Sequence, residues 1–235
     1  MSNPLLEVQG LTSGYGTAAV LRDVSFDINQ GEIVVVLGKN GMGKSTLLKT
    51  VMGFLRPFNG RVFLGGKNVT GTLPHLMARA GVAHAPQEHT LFQDLTVEEN
   101  LRLGVATDRL FQEHLSSIEP IFPRMIERLK QRAGTLSGGE QKMLLMSRAL
   151  IAKPQLMLVD EISEGLQPTM VDRMGEALVH ARDKLGISVL LVEQHLDFAL
   201  STANRYMVLK LGEVVERGNV EDSAAAGTLS AYLAV

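Results

Sequence analysis

The sequence has 235 residues and no cysteine. Disulfides, thiolate metal sites and cysteine nucleophiles are therefore excluded, and the chain is indifferent to the redox state of its compartment. Long apolar runs are missing too. The longest, around IVVVLG and SVLLV, fall far short of the roughly 20 residues needed to cross a bilayer. The opening residues MSNPLLEVQG lack the charged start and apolar segment of a secretory leader, so a cytoplasmic home is expected, with any membrane role supplied by a partner. Nor is there an excess of charge of one sign. Lys and Arg total 23 against 25 for Asp and Glu, a net charge of -2. No global basic field exists to hold nucleic acid, so no nucleic-acid partner is expected, although a local patch could bind phosphate. Internal repeats and low-complexity runs are absent.

What is present is a globular composition, 45% hydrophobic and 20% charged, which excludes disorder. The length favours one domain or two small ones and permits a sizeable core. Short runs rich in Val, Ile and Leu alternate with helix-like segments. Gly31 to Leu37, Gln155 to Val159 and Ile187 to Val192 read as strands apolar on both sides, as in a parallel sheet covered on both faces. Leu21 to Ile28 places apolar residues mostly at alternate positions, as a half-buried antiparallel strand does. Arg61 to Leu64, closed by Gly65-Gly66, and Tyr206 to Val215, with a turn at Leu211-Gly212-Glu213, predict further hairpins. From Glu88 to Ala152 strand signals vanish and helical stretches dominate, interrupted at Pro120 and Pro123. This reads as a helical insert in an α/β core. The tail SAAAGTLSAYLAV is a small helix candidate.

Gly38 to Ser45 reads GKNGMGKS and fits GxxxxGK[ST], after a strand and before a helix from about Lys44 to Met52. Glycines let successive backbone N–H groups turn inward toward phosphate oxygens, and the helix N-terminus adds partial positive charge. Gly38, Asn40, Gly41 and Gly43 of the motif, with Thr46 just after it, are expected in the phosphate cradle. Lys44 is expected to reach the β- and γ-phosphates, and Ser45 to ligate Mg²⁺ through its hydroxyl. A second anchor is LMLVDE, Leu156 to Glu161. An apolar strand ending in an acid places Asp160 to hold Mg²⁺ and Glu161 to polarise water. Alone this pattern is weak, because acids often follow strands as helix caps.

The third motif, Leu136 to Gln141, reads LSGGEQ ahead of a helical stretch from about Glu140 to Ala152. Ser followed by Gly-Gly could simply cap that helix. The same residues also make a second phosphate site of hydroxyl and N–H groups. Five specified residues recur by chance in fewer than about one chain per thousand. In the order phosphate loop, signature, acidic strand, the whole chain resembles the nucleotide-binding subunit of ABC transporters. That resemblance implies one ABC ATPase domain over residues 1–235. Residues 1–87 and 153–235 would form a RecA-like parallel-sheet core with an N-terminal antiparallel β subdomain, and 88–152 a helical subdomain.

The family works as a head-to-tail dimer. Ser137, Gly138 and Gly139 are then expected at the γ-phosphate of ATP bound by a partner chain. Tyr15, in SGYG before the first strand pair, matches the aromatic that stacks on adenine. Gln87, in HAPQEHTLF, matches the glutamine that touches Mg²⁺ or the attacking water. Two places depart from the family pattern. Ile162 stands for the usual proline, and Gln167 for the aspartate that closes the run. In LLVEQHLDFAL the switch position falls on Gln194 or on His195. A glutamine donates a hydrogen bond but cannot carry a proton, and either residue could merely start a helix.

EGLQP and VEQ, with LFQDLTVEENLRLG and IFPRMIERLKQRAGTLSGGEQ, resemble one subgroup. It is the second ATPase of importers for branched-chain amino acids, with its relative in urea and short-chain amide importers. The implied assembly is a homo- or heterodimer of ATPase subunits on two membrane permeases, fed by a periplasmic binding protein. Other expectations compete. One is an ABC ATPase for lipid or lipopolysaccharide extraction. Another is a soluble ABC protein on ribosomes or DNA, which would call for two ATPase domains, long inserts or a basic stripe. A third is a weakly hydrolysing regulatory partner, motivated by Gln194. His75, His84, His89, His114 and His180 show no ligand spacing and read as surface or core residues, so no metal beyond nucleotide-bound Mg²⁺ is expected. The 11 methionines read as core filler.

Overall fold

A computed structural model describes residues 4–87 and 91–222, with Gly227, Leu229, Ser230 and Tyr232 beyond them. The expectation for His89 lies outside the described residues, as does most of the tail; the four described tail residues are helical.

The chain begins with a long hairpin, β1 (Leu6–Tyr15) and β2 (Ala18–Ile28), and continues into β3 (Ile33–Leu37) and α1 (Lys44–Met52). Next come β4 (Asn59–Leu64), β5 (Lys67–Asn68), α2 (Pro74–Arg79) and β6 (Val82–Ala85). The helical stretch comprises α3 (Val97–Arg102), α4 (Asp108–Leu115), α5 (Pro123–Glu127) and α6 (Gly138–Ile151). It is followed by β7 (Leu156–Asp160), α7 (Pro168–Leu185), β8 (Ser188–Glu193), α8 (Leu196–Thr202), β9 (Arg205–Lys210) and β10 (Glu213–Asn219).

The strands form two sheets. One is antiparallel, in the order β2-β1-β4-β5, and the other has six strands in the order β10-β9-β3-β8-β7-β6. In the larger sheet β9, β3, β8, β7 and β6 run parallel, and β10 pairs antiparallel with β9 at the edge. Every residue of β3, β7 and β8 is buried, as the uninterrupted apolar runs require of strands covered on both faces.

Alternation then divides the core. Ile33, Val35 and Leu37 of β3 face a cluster that includes Val97, Leu101, Phe111 and Phe122 of the helical stretch and Met174 of α7. Val34 and Val36 face a second cluster with Leu47 and Leu48 of α1 and Leu6, Val8 and Leu11 of β1. The helical stretch therefore shares its core with the parallel sheet. Among the described residues eight methionines (52, 77, 125, 143, 146, 157, 174 and 207) are buried, as core filler should be.

One expectation needs adjustment. Tyr15 does not precede the first strand pair; it is the last residue of β1, paired with Ala18 across the hairpin turn. And β1 itself carries no clear strand pattern, because register shifts between Val8 and Gly14 break its alternation. Among the described residues no helix is long and apolar enough to cross a membrane.

Candidate functional site

The carboxyl ends of β3, β7 and β8 open side by side. Leu37 lies opposite Glu193, and Asp160 opposite Val192. In open α/β sheets this edge is where ligands sit. The loop from Gly38 to Gly43 leads from β3 into α1. Gly43, the N-cap, has φ +102, a left-handed value that L side chains rarely adopt. No side chain caps α1 and no acid lies in its first turn. Its first N–H groups, which have no partner inside a helix, face the loop with the helix's partial positive charge. A cradle of this kind fits a phosphate group.

The loop is braced from outside by the β9–β10 turn. Leu211 N–H donates to Met42 Sδ at 3.2 Å, and Gly212 N–H to the Met42 carbonyl at 3.1 Å. Gly212 in turn accepts from Arg22 N–H of β2 at 2.9 Å.

Lys44 is buried, and its ammonium donates to the carbonyls of Gly38 at 2.8 Å and Lys39 at 3.0 Å. It also pairs with Glu161 Oε1 at 3.1 Å. Gln87 Nε2 reaches Glu161 Oε2 at 3.1 Å and also donates to Glu164. Gln194 Nε2 reaches Glu161 Oε1 at 2.9 Å and Asn40 Oδ1 at 2.8 Å. Segments following three different strands thus converge on one buried carboxylate that itself follows a fourth. The Glu161 backbone is itself unusual, with φ +46 and its N–H bonded to Val192 O at 2.9 Å. A left-handed conformation costs an L-residue roughly 1–2 kcal/mol, so the contacts around it must hold it there.

Next to this carboxylate, Ser45 Oγ donates to Asp160 Oδ1 at 3.2 Å. Burial pushes the Asp160 carboxyl above its ordinary value, and the Ser45 hydrogen bond pulls it back. A hydroxyl and a carboxylate at this spacing are hard oxygen donors of the kind Mg²⁺ takes alongside nucleotide phosphates. Among the described residues no cluster of three His, Asp or Glu side chains could hold a metal ion by itself.

A cavity of about 300 Å³ unites Tyr15 and Val20 with Lys44, Ser45, Gln87 and Glu161. Tyr15, half exposed at 49%, lines the same cavity. A larger hollow of about 630 Å³ shares Asn40 and Glu161 and extends along Ser163 to Leu166, Gln194 and His195.

The two candidates for the switch position separate in space. Gln194 enters the site, whereas His195 is the N-cap of α8, its Nδ1 accepting from Phe198 N–H at 3.3 Å. Ser137, Gly138 and Gly139 do not join the cavity of this chain. Ser137 caps α6 in a box with Glu140, its hydroxyl donating to Glu140 Oε2 at 2.8 Å, while Arg128 pairs with Glu140 Oε1 at 3.1 Å.

Sequence reasoning passed over Glu193, whose buried carboxylate binds Ser163 Oγ at 2.7 Å and Ser163 N–H at 3.0 Å. Burial raises the affinity of that carboxyl for a proton, and the Ser163 bonds oppose the rise. SVLLVE ends an apolar strand in an acid, just as LMLVDE does, and that likeness was the available signal. Lys142 and Glu164 were passed over as well.

The ABC transporter family profile matches residues 21–164. The chain is 40% identical to the high-affinity branched-chain amino acid transport ATP-binding protein BraG of Pseudomonas aeruginosa, over 90% of this chain and 91% of that one. It is 36% identical to the probable branched-chain amino acid transport ATP-binding protein LivF of Archaeoglobus fulgidus, over 93% of each. A solved structure described as the ATP binding subunit of an ABC transporter superposes with TM-score 0.82 at 29% identity, covering 96% of this chain and 94% of the other.

Proposed function

We propose, for a chain that belongs to the ABC transporter family and is an ATP-hydrolysing transport subunit, that the import it powers is of branched-chain amino acids or of urea and short-chain amides. The observation that carries the mechanism is the convergence of Lys44, Gln87 and Gln194 on Glu161 beside the Ser45–Asp160 pair. The relatives BraG and LivF, at 36–40% identity over nearly the full chain, support branched-chain amino acids within that class, while urea and short-chain amides rest on the sequence resemblance alone.

In this reading ATP lies in the cavity with adenine on Tyr15 and its phosphates on the loop from Gly38 to Thr46. Gly41 and Gly43 admit the phosphates close to the backbone. Lys44 exchanges its carbonyl partners for β- and γ-phosphate oxygens, a point charge where negative charge develops. Ser45, Asp160 and Gln87 would hold Mg²⁺, which neutralises phosphate charge when bound with the nucleotide. Glu161 accepts a proton from water as its oxygen bonds to the γ-phosphorus. The bond to the bridging oxygen breaks, and ADP leaves with that electron pair. Gln194 and Gln87 orient the carboxylate and the water by amide hydrogen bonds, and His195 stands beside them as the second candidate for the switch.

Ser137, Gly138 and Gly139 serve a second ATPase subunit, identical or different, in a head-to-tail dimer. The two lobes, 1–87 with 153–235 and 88–152, are the moving parts. The dimer docks on two permeases at the cytoplasmic face of the membrane, with a periplasmic binding protein feeding them. A groove of about 510 Å³ lined by Phe54, His84, Phe92 and Leu103 suits such docking, because Phe54, Phe92 and Leu103 are each more than half exposed.

Glu161→Gln keeps the shape of the side chain and removes the base. It should bind ATP and fail to turn it over; normal turnover would sink the assignment. Uptake of labelled leucine and of urea in cells lacking this protein tests the substrate class, and unchanged uptake of both would remove it while leaving the ATPase reading intact.

A further inference from the structure

Lys142 lies on α6, five residues past the Ser137 cap and outside every motif discussed above. Its side chain crosses to the segment that follows Asp160. The ammonium donates to the Ile162 carbonyl at 3.1 Å and the Glu161 carbonyl at 3.3 Å, and also to that of Glu164. An ammonium has three N–H donors and no acceptor. Here the turn carbonyls of residues 161, 162 and 164 take all of them, and each bond is strengthened by the charge.

One of these carbonyls belongs to a residue whose backbone needs support. Glu161 is one of four described non-glycine residues with positive φ, and nothing in its own side chain favours that conformation. Its N–H is fixed by Val192 on β8. The carbonyl end of the same residue is fixed by Lys142. Burial lowers the Lys142 pKa, while Glu164, Glu193 and Glu161 favour its charged form. The hydrogen bonds of the ammonium go to the backbone rather than to these carboxylates.

We propose that Lys142 is a positioning residue that clamps the left-handed turn at Glu161 and so aims the carboxylate at the attacking water. The clamp also ties the helix that begins at Ser137 to the base of the same chain. Displacement of α6 by a phosphate at its N-terminus would pass to the Glu161 turn through this side chain and its three hydrogen bonds. This inference rests on Glu161 being the base.

The test uses the transporter complex purified with its partner subunits, and the variants Lys142→Met, Lys142→Gln and Lys142→Arg. Methionine matches the stem without donors, glutamine keeps one amide, and arginine keeps several N–H donors and the charge. ATP turnover at saturating ATP gives kcat, a trinitrophenyl-ATP titration gives affinity, and thermal melts report folding.

A misaimed base predicts a kcat loss of roughly 10- to 100-fold in Lys142→Met. Nucleotide affinity should stay unchanged within about twofold, with graded recovery through glutamine to arginine. A Lys142→Met kcat within about twofold of the parent overturns the proposal. So does a loss of affinity at unchanged kcat. Should Lys142→Met fail to fold, Lys142→Gln decides, and parental kcat in that variant is equally fatal. Glu161→Gln, assayed in parallel, separates the two ideas. If it turns over ATP normally, the base assignment fails whatever Lys142 does. If it is inactive while Lys142→Met is fully active, only the clamp fails.

Discussion

His84 offers a titration that reads the packing of the apolar groove. It sits on β6 with its ring 5.9 Å from that of Phe54, centroid to centroid, and its Nε2 is buried without a hydrogen-bond partner among the described residues. Burial pushes its pKa down from 6.5 to about 4, and the nearby Lys49 charge adds to the shift. The folded state therefore refuses a proton that the unfolded chain accepts near pH 6.5. Stability attributable to this group is intact above that value, falls as pH drops through it, and levels off below pH 4. The full difference of about 2.5 units corresponds to about 3 kcal/mol, of which about 2 kcal/mol is lost by pH 5.

His84→Phe keeps a ring against Phe54 and removes the titrating nitrogens. Urea unfolding followed by far-UV circular dichroism suits a chain with no tryptophan. The stability of the variant relative to the parent should rise by about 2 kcal/mol between pH 7 and pH 5. A gap that stays constant within about 0.5 kcal/mol across that range would refute the argument, because other titrating groups are common to both proteins and cancel.

Three further outcomes follow from the geometry. Gln194→Ala removes the amide shared by Asn40 and Glu161 and should lower ATP turnover roughly 10- to 100-fold. His195→Ala loses a helix cap worth about 1 kcal/mol and should act mainly on the melting temperature, so a larger turnover defect in His195→Ala would reverse the assignment. Gly212→Ala would place a Cβ 1.8 Å from the Val20 carbonyl at φ +85. That strain should cost about 2 kcal/mol or more, and an unchanged melt would contradict the close approach.

The phosphate loop and the acidic strand were readable because their chemistry is written in contiguous residues. GKNGMGKS needs its glycines where the backbone turns, and LMLVDE needs an acid where an apolar strand ends. The helical stretch was readable as composition, but not its sharing of the β3 core, which depends on packing across the sheet. β1 was hidden by its own register shifts, and Tyr15 was misplaced with it. Gln194 and His195 were inseparable in sequence, since adjacent positions differ only in direction. The backbone after β8 sends one into the site and the other onto α8. Lys142 and Glu193 were invisible for a related reason. Their partners lie 19 and 30 residues away in the chain, and only the tertiary fold brings a lysine stem to those carbonyls.

The brace on the phosphate loop has a consequence for biosynthesis. Leu211 and Met42 are 169 residues apart. A ribosome therefore completes the loop long before the β9–β10 turn that fastens it to β2. Until that hairpin emerges, the bonds from Gly212 to Met42 and from Arg22 to Gly212 cannot form. Bracing of the loop is therefore a late event in the making of the chain, set by residues far downstream of the motif it supports.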